Sequence, residues 1–417
     1  MILTRKRRIT TMRRINKLFI YLAFTMTVSS TFAQTIDKVR GILFNNNMPV
    51  EITVEQGIIR SIVPLDVDQL EHQWIISPGF IDVQVNGYAG VSFTDENLTV
   101  KGVQQATEGL WKEGVTTYIP TIITASGETI KQNLKTLNAS LDHAQTAQSI
   151  PGFFLEGPYI SPLDGFRGAH NAEFVRLPDW SEFQEFISAS NNQIIKTTVA
   201  PELEGAMEFI DACKDAGILV AIGHHNGSAE QIHEAARRGA SISTHLGNGC
   251  ANMIHRHNNP LWAQMADDRL TPTIIADGFH LNPDELMVFY KVKGPNNLML
   301  ISDITKLAGL PPGAYDWNGK KVLLTPEGKL RLPDLDVLAG ASFSIRKGIG
   351  NMMKYAGSSL EEAIQMASQN QAKMFGWEDR GSIEIGKRAD LVLFKMEGGE
   401  VGVHQTILSG VSVFEKE

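Results

Sequence analysis

The chain has 417 residues, of which 43% are hydrophobic and 20% charged, ordinary globular values that exclude wholesale disorder and a coiled coil. Its formal net charge of −8 excludes the basic footprint that a nucleic-acid partner requires. The length suits one large domain with a smaller one beside it.

Residues 1–33 read as a secretory signal peptide. Arg13, Arg14 and Lys17 precede an apolar run over 18–32, and Thr31 and Ala33 stand where a signal peptidase reads its site. Met12, just before this run, stands as an alternative start. The run is too short and too polar at its end for a membrane span, so no stable membrane anchor is expected. Its removal takes Lys+Arg from 38 to 31 against 46 Asp+Glu, a formal charge of −15. The expected location is periplasmic or secreted, or cytoplasmic if the segment is not a signal. Only Cys213 and Cys250 are present, which excludes a disulfide framework and leaves open whether the two thiols pair.

From residue 34 to 77 the text is strand-like with short turns, and the C-terminal stretches GSIEIG, ADLVLFKM and HQTILSGVSVFE read the same way. Two strand sets flanking a long middle predict a small β-sandwich domain built from both chain ends, 34–78 plus 380–417. The middle, 79–379, alternates apolar runs with amphipathic helix patterns. Strands are expected at 79–87, 116–124, 152–158, 194–202, 218–227, 240–249, 271–280 and 297–305, most of them followed by a helix. Eight such units are the pattern of an α/β fold, a (β/α)8 TIM-type barrel.

Active sites of such barrels lie at the C-terminal strand ends. Here those ends carry Gln84, Asn86, Glu156, His224, His225, His245, Asn248, His280 and Asp303. Core packing does not explain so many ligand-type residues at strand tips. Glu156, His224 and His245, from strands three, five and six, form a two-imidazole, one-carboxylate set of the kind that holds a catalytic zinc. Asp303, at the tip of strand eight, is placed to take a proton from water activated there, although an Asp at such a point can also cap the next segment. His170, on the loop after strand three, is a candidate for polarising a carbonyl, and His280 is a second pocket candidate. Arg256 and His257 lie on the long loop after strand six, where basic groups suit an anionic or hydroxyl-rich ligand. His72, His143, His233 and His404 sit in helix or surface contexts and receive no role.

At these residues the chain resembles the N-acetylglucosamine-6-phosphate deacetylases of the amidohydrolase superfamily, from about residue 36 to the C-terminus. The stretches that carry the resemblance include SPGFIDVQVNGYAG, FLEGPYIS, RGAHNAEFV, TVAPE, AGILVAIGHHNGS, STHLGNG, IIADGFHLN, LISDIT, LAGAS and GSIEIGKRADLVLF, in this order. The resemblance implies Glu156, His224 and His245 as metal ligands and Asp303 as a catalytic aspartate acting first as base and then as acid. It implies substrate-binding positions at His170, Asn248, Gly249, Arg256, His280 and the backbone of Leu338, Ala339 and Gly340. It also implies that Arg256 reaches a sugar phosphate across the interface of a homodimer.

Many superfamily members carry His-x-His on strand one and hold two metals. This chain has Gln84-Val85-Asn86 there, with Gln84 near the metal, as in members with one. Lys196 lies too far inside strand four to bridge a second metal. The expected cofactor is therefore one divalent ion per chain, zinc by ligand type, although iron, cobalt or manganese would also bind such a set. Two departures from the family fall on residues expected to line the substrate pocket. Asn248-Gly249-Cys250 replaces the usual Asn-Ala-Met, and His225 stands where Ser or Thr is common.

The expected reaction is hydrolysis of N-acetylglucosamine-6-phosphate to glucosamine-6-phosphate and acetate. The alternatives are an exported deacetylase of an unphosphorylated acetamido sugar or cell-wall fragment, a dihydroorotase-like or dipeptidase-like amidohydrolase with two metals, and a non-catalytic sugar-binding barrel.

Overall fold

The computed structural model describes residues 34–317, 320–332, 337–338 and 340–417; the expected signal segment 1–33 and Ala339 lie outside the described residues. Eight parallel strands make the central sheet: β1 (Phe80–Val85), β2 (Val115–Ile123), β3 (Phe153–Glu156), β4 (Ile194–Val199), β5 (Leu219–Ile222), β6 (Ala240–Ser243), β7 (Thr271–Ile275) and β8 (Met299–Ile301). They pair in chain order. The ring closes where Val85 bridges Ile304 and the Asn86 N–H donates to the Ile304 carbonyl at 2.9 Å. All six residues of β1 are buried, as expected for a parallel strand covered on both faces. The architecture is the expected (β/α)8 barrel.

The main crossover helices are α1 (Val100–Trp111), α2 (Gly127–Ser140), α3 (Trp180–Ala189), α4 (Ala206–Asp215), α5 (Ala229–Arg238), α6 (Pro260–Ala266), α7 (Pro283–Lys293) and α8 (Ile345–Asn351). Local chemistry sets where they start. Thr99, Ser126, Asp179, Ser228 and Asn259 each accept a backbone N–H of the first turn through the side chain, satisfying donors that a helix start leaves free. Their inner faces bury side chains such as Leu110, Leu134, Phe183, Phe209 and Leu286 against the strands. Each large apolar side chain so buried is worth roughly 1.5–3 kcal/mol. No helix among the described residues is long and apolar enough to cross a membrane.

A separate eight-stranded sheet joins both chain ends. Strands at 34–35, 38–43, 49–55, 58–64 and 75–78 combine with 391–397, 400–408 and 411–415. Alternation along Pro49–Glu55 buries Val50, Ile52 and Val54, which pack with Ile59, Ile76, Leu391 and Ile407 in a core of their own. Ile75–Pro78 pairs with the C-terminal strand Leu391–Glu397, so the sheet delivers the chain into β1 after one residue.

One element had no counterpart in the sequence reading. After β8 the chain forms a four-stranded antiparallel sheet over 313–317, 320–324, 330–332 and 337–338. Its small core contains Leu307, Val322, Leu324 and Leu330. Both thiols are free, Cys213 buried and Cys250 partly so.

Candidate active site

The barrel strands end earlier than the sequence runs suggested, and the functional side chains sit at those ends. Glu156 is the last residue of β3, while His224, His245 and Asp303 each lie two residues beyond β5, β6 and β8. These last three have φ of 50°, 33° and 52°, in the left-handed region that residues with a Cβ rarely adopt. Such backbone costs on the order of 1–3 kcal/mol each and persists only where surroundings over-determine it, typically at functional sites. Here the Asp303 N–H donates to the Gln84 carbonyl (3.0 Å) and the His245 N–H to Thr273 Oγ1 (2.8 Å), while the His224 carbonyl accepts from the Ser161 N–H (2.9 Å).

Glu156, His224 and His245 offer ligand atoms that all lie within 4.8 Å of one another. Glu156 Oε1 is 3.0 Å from His245 Nε2 and 3.6 Å from His224 Nε2, and the two Nε2 atoms are 3.0 Å apart. His224 Nδ1 lies 3.0 Å from the Phe166 carbonyl, which can only accept, so the ring proton is on Nδ1 and Nε2 presents a lone pair to the cluster. Burial opposes charge on Glu156, yet the two imidazoles hold it well below the ordinary carboxylate range. Burial likewise opposes protonation of His245, but the Glu156 carboxylate lifts its basicity above the usual imidazole. The cluster thus calls for positive charge where three lone-pair donors converge, and two imidazoles with a carboxylate are the donor set of a divalent metal centre.

The carboxylate of Asp303 lies beside this set. Gln84 Nε2 donates to Glu156 Oε1 (2.9 Å) and to Asp303 Oδ1 (3.1 Å), and Asn86 Nδ2 donates to the same Asp303 oxygen at 2.6 Å. Burial, reinforced by the neighbouring negative charge of Glu156, pushes Asp303 above its ordinary pKa. A second layer of contacts was not read from sequence: Thr244 Oγ1 donates to Gln84 Oε1 at 2.8 Å. The only available signal was the position of Thr244, one residue before His245.

His170 is buried, with its ring T-shaped against His224 at 4.4 Å between centroids. Its Nδ1 accepts the Thr124 N–H at 3.4 Å and meets Thr124 Oγ1 at 2.7 Å, which leaves Nε2 as the protonated nitrogen. Burial, with His224 next to it, pushes its pKa down to about 3, so the ring is neutral and a donor. Arg167, also missed in the sequence, holds this loop by donating to the His170 carbonyl at 2.9 Å. A cavity of about 590 Å³ adjoins the site, and Asn86 and Thr124 both line it.

The remaining expected residues divide. The Asn248 N–H donates to the His245 carbonyl (2.8 Å), and its buried side-chain Nδ2 has no partner among the described residues. Gly249 (φ 61°) lies over the cluster so closely that a Cβ would fall 3.0 Å from His224 Nδ1 and 3.1 Å from His245 Cε1. His280 Nδ1 meets Asp277 Oδ2 at 2.8 Å. Leu338 ends the four-stranded insertion, and shortly after Gly340 the Ala341 carbonyl accepts the Thr305 N–H at 3.0 Å, which brings this segment to the strand-eight tip. Arg256 and His257 are not brought to the cluster by contacts among the described residues: they lie on an exposed loop, where the Arg256 carbonyl accepts from Trp262 Nε1.

His225 corrects the expectation that it lines the substrate pocket. Its ring is buried and engaged by the Gly227 N–H (3.2 Å) and by Gln264 of α6. Lys196 is fully buried, with Nζ 3.8 Å over the Phe154 ring and 3.4 Å from the Val83 carbonyl, so it bridges nothing in the cluster.

Comparison with known proteins identifies the family. The profile of the amidohydrolase family matches residues 75–413. The chain is 31% identical to the N-acetylgalactosamine-6-phosphate deacetylase of Escherichia coli O157:H7, covering 82% of this chain and 89% of that protein. It is 32% identical to the N-acetylglucosamine-6-phosphate deacetylase of Haemophilus influenzae, over 80% and 85% of the two chains. The crystal structure of N-acetylglucosamine-6-phosphate deacetylase from Pasteurella multocida superposes with a TM-score of 0.79 at 28% identity, over 89% of this chain and 97% of that one.

Proposed function

Starting from a chain that belongs to the amidohydrolase family, we propose that it hydrolyses N-acetylglucosamine-6-phosphate, with water, to glucosamine-6-phosphate and acetate. The observation that carries this reading is the Glu156–His224–His245 cluster with Asp303 held beside it by two amide donors.

Glu156, His224 and His245 would hold one divalent ion, zinc by donor type, and such an ion supplies Lewis acidity that acidifies water and polarises an acetamide carbonyl. Asp303 takes the proton of the attacking water through the carboxylate that Gln84 and Asn86 orient. The His170 Nε2–H donates to the oxygen that gains negative charge as the carbonyl carbon becomes tetrahedral. Asp303 then passes its proton to the sugar nitrogen, the C–N bond breaks, and acetate and the free amine leave. The raised pKa of Asp303 suits both halves of this cycle.

Asn248, Gly249, His280 and the backbone of Leu338, Ala339 and Gly340 would contact the sugar, and Arg256 would reach its phosphate from a second copy in a homodimer. The unpartnered Asn248 Nδ2 supports a ligand-facing role on that loop. The relatives' names include both the galacto and the gluco sugar phosphates, so the C4 epimer is part of the test. The signal-like segment 1–33 supports export, and with it an unphosphorylated acetamido sugar as the second reading.

The deciding experiment is acetate release from N-acetylglucosamine-6-phosphate, N-acetylgalactosamine-6-phosphate and their unphosphorylated forms, using metal-loaded protein. Preference for the unphosphorylated sugars would overturn the phosphate assignment, and release from none of them would overturn the deacetylase reading.

A further inference from the structure

We infer that Thr244 is a positioning residue, whose hydroxyl holds the Gln84 amide in place and through it the placement of both Glu156 and Asp303. This inference rests on the reading of Glu156 as a metal ligand and Asp303 as the proton carrier.

Among the described residues, Gln84 is the one side chain that donates to both carboxylates, at 2.9 Å to Glu156 and 3.1 Å to Asp303. Its two N–H bonds are thereby used, and Oε1 is left to accept from Thr244 Oγ1 at 2.8 Å. The reverse orientation would turn Oε1 toward two carboxylate oxygens, exchanging two charge-assisted hydrogen bonds for repulsion. Gln84 is fully buried and Thr244 nearly so, so water does not readily replace either partner.

Thr244 is itself held in place. Its N–H donates to the Ile222 carbonyl at 2.9 Å. Its methyl occupies a notch that exists because residue 223 is glycine: a Cβ there would lie 2.1 Å from Thr244 Cγ2. With the methyl lodged against Gly223, the hydroxyl faces Gln84. Gly223 also directly precedes His224, so the backbone that presents one metal ligand shapes the residue that orients the other two groups. Thr at this position thus combines a donor with a packing key. Val keeps only the key, and Ser only the donor.

The test compares Thr244→Val and Thr244→Ser with the full-chain protein. Four quantities are measured: Zn2+ affinity by chelator competition, kcat and KM for the best acetamido sugar phosphate, and the Tm of the metal-free protein. Thr244→Val should weaken Zn2+ binding and lower kcat, each by about 10–100-fold as for other groups that orient metal ligands, with KM shifted by no more than about twofold. Its metal-free Tm should fall by only a few degrees, because the shape is kept and the loss is that of one buried hydrogen bond. Thr244→Ser should restore most of both losses.

Unchanged Zn2+ affinity and kcat in Thr244→Val would overturn the proposal. A large drop in metal-free Tm that Ser does not repair would also overturn it, since it would mark a packing role alone. Should no acetamido sugar be turned over, the Zn2+ measurement still decides the role of Thr244 apart from the proposed reaction.

Discussion

The Asp303 N–H donates to the Gln84 carbonyl at 3.0 Å, and the Gln84 side-chain amide donates back to the Asp303 carboxylate at 3.1 Å. The two residues stand 219 positions apart, one on the first barrel strand and the other two residues beyond the last. The seam that closes the barrel therefore also fixes the group proposed to carry the proton. Seam and site share the same two residues, so a change at either is expected to register in catalysis before it registers in the fold.

Asp303→Asn is expected to keep the metal and lose turnover. The carboxylate lies outside the set whose atoms converge on the ion position, so Zn2+ content should remain near one per chain. Acetate release should fall by roughly 10²–10⁴-fold, the range associated with a positioned acid–base group. Substantial activity in the Asn variant would remove Asp303 from the mechanism.

Chelator treatment should abolish acetate release, and one equivalent of divalent metal per chain should restore it. Metal loading should also raise Tm, since it adds about 4 kcal/mol of stability when free metal exceeds its Kd a thousandfold. A requirement for two equivalents would contradict the single-ion reading that Gln84 on β1 and Asn86 just after it support.

Gly249→Ala should damage the site selectively. At φ 61° a side chain costs on the order of 1 kcal/mol in backbone strain, and the added Cβ would crowd the imidazoles of His224 and His245. The expected result is weaker metal binding and lower kcat with a loss of only a few degrees in Tm. Unaltered metal affinity would mean that the loop moves aside freely.

Arg346→Met probes a structural pair away from the Glu156–His224–His245 cluster. Arg346 Nε donates to Glu113 Oε2, which also accepts from Ser344 Oγ at 2.6 Å, while the Tyr88 hydroxyl donates to Glu113 Oε1 at 3.0 Å. Burial pushes Glu113 up, but the guanidinium and these donors outweigh it and hold the carboxyl below its ordinary value. A depressed folded-state pKa gives stability that is present above about pH 4.5 and lost as the pH falls below it. Without Arg346, burial dominates and Glu113 prefers to be protonated, so the sign reverses. Destabilisation of about 2–3 kcal/mol is expected near pH 8, less than for a fully buried pair because 34% of the Arg346 side chain is exposed, and the deficit should shrink towards pH 5. Urea unfolding at the two pH values measures this, and a deficit independent of pH would refute it.

Much of this architecture was legible in the sequence because continuous apolar runs in the barrel, period-two burial in the terminal sheet and amphipathic helices leave local patterns. The eight strand runs, the terminal strand sets and the polar residues at the run ends all emerged from text such as GFFLEGP and ASISTHLGNG. The runs overshot the strand ends because residue type does not show where a ladder stops. His224, His245 and Asp303 leave it through left-handed backbone, which composition cannot announce for residues other than glycine. The four-stranded insertion after β8 was missed for a similar reason, since its short strands lack sustained alternation.

Sequence alone determined which side chains could serve as ligands and proton carriers, because those identities and their places at strand tips are fixed by the chain. The tertiary structure decided how they act together. The Gln84 amide that joins Glu156 to Asp303, the Thr244 hydroxyl that donates to it, and the turning of His225 towards α6 all depend on contacts between distant strands and helices. Thr244 and Gln84 are 160 positions apart, and only closure of the barrel brings a donor and an acceptor so separated to 2.8 Å.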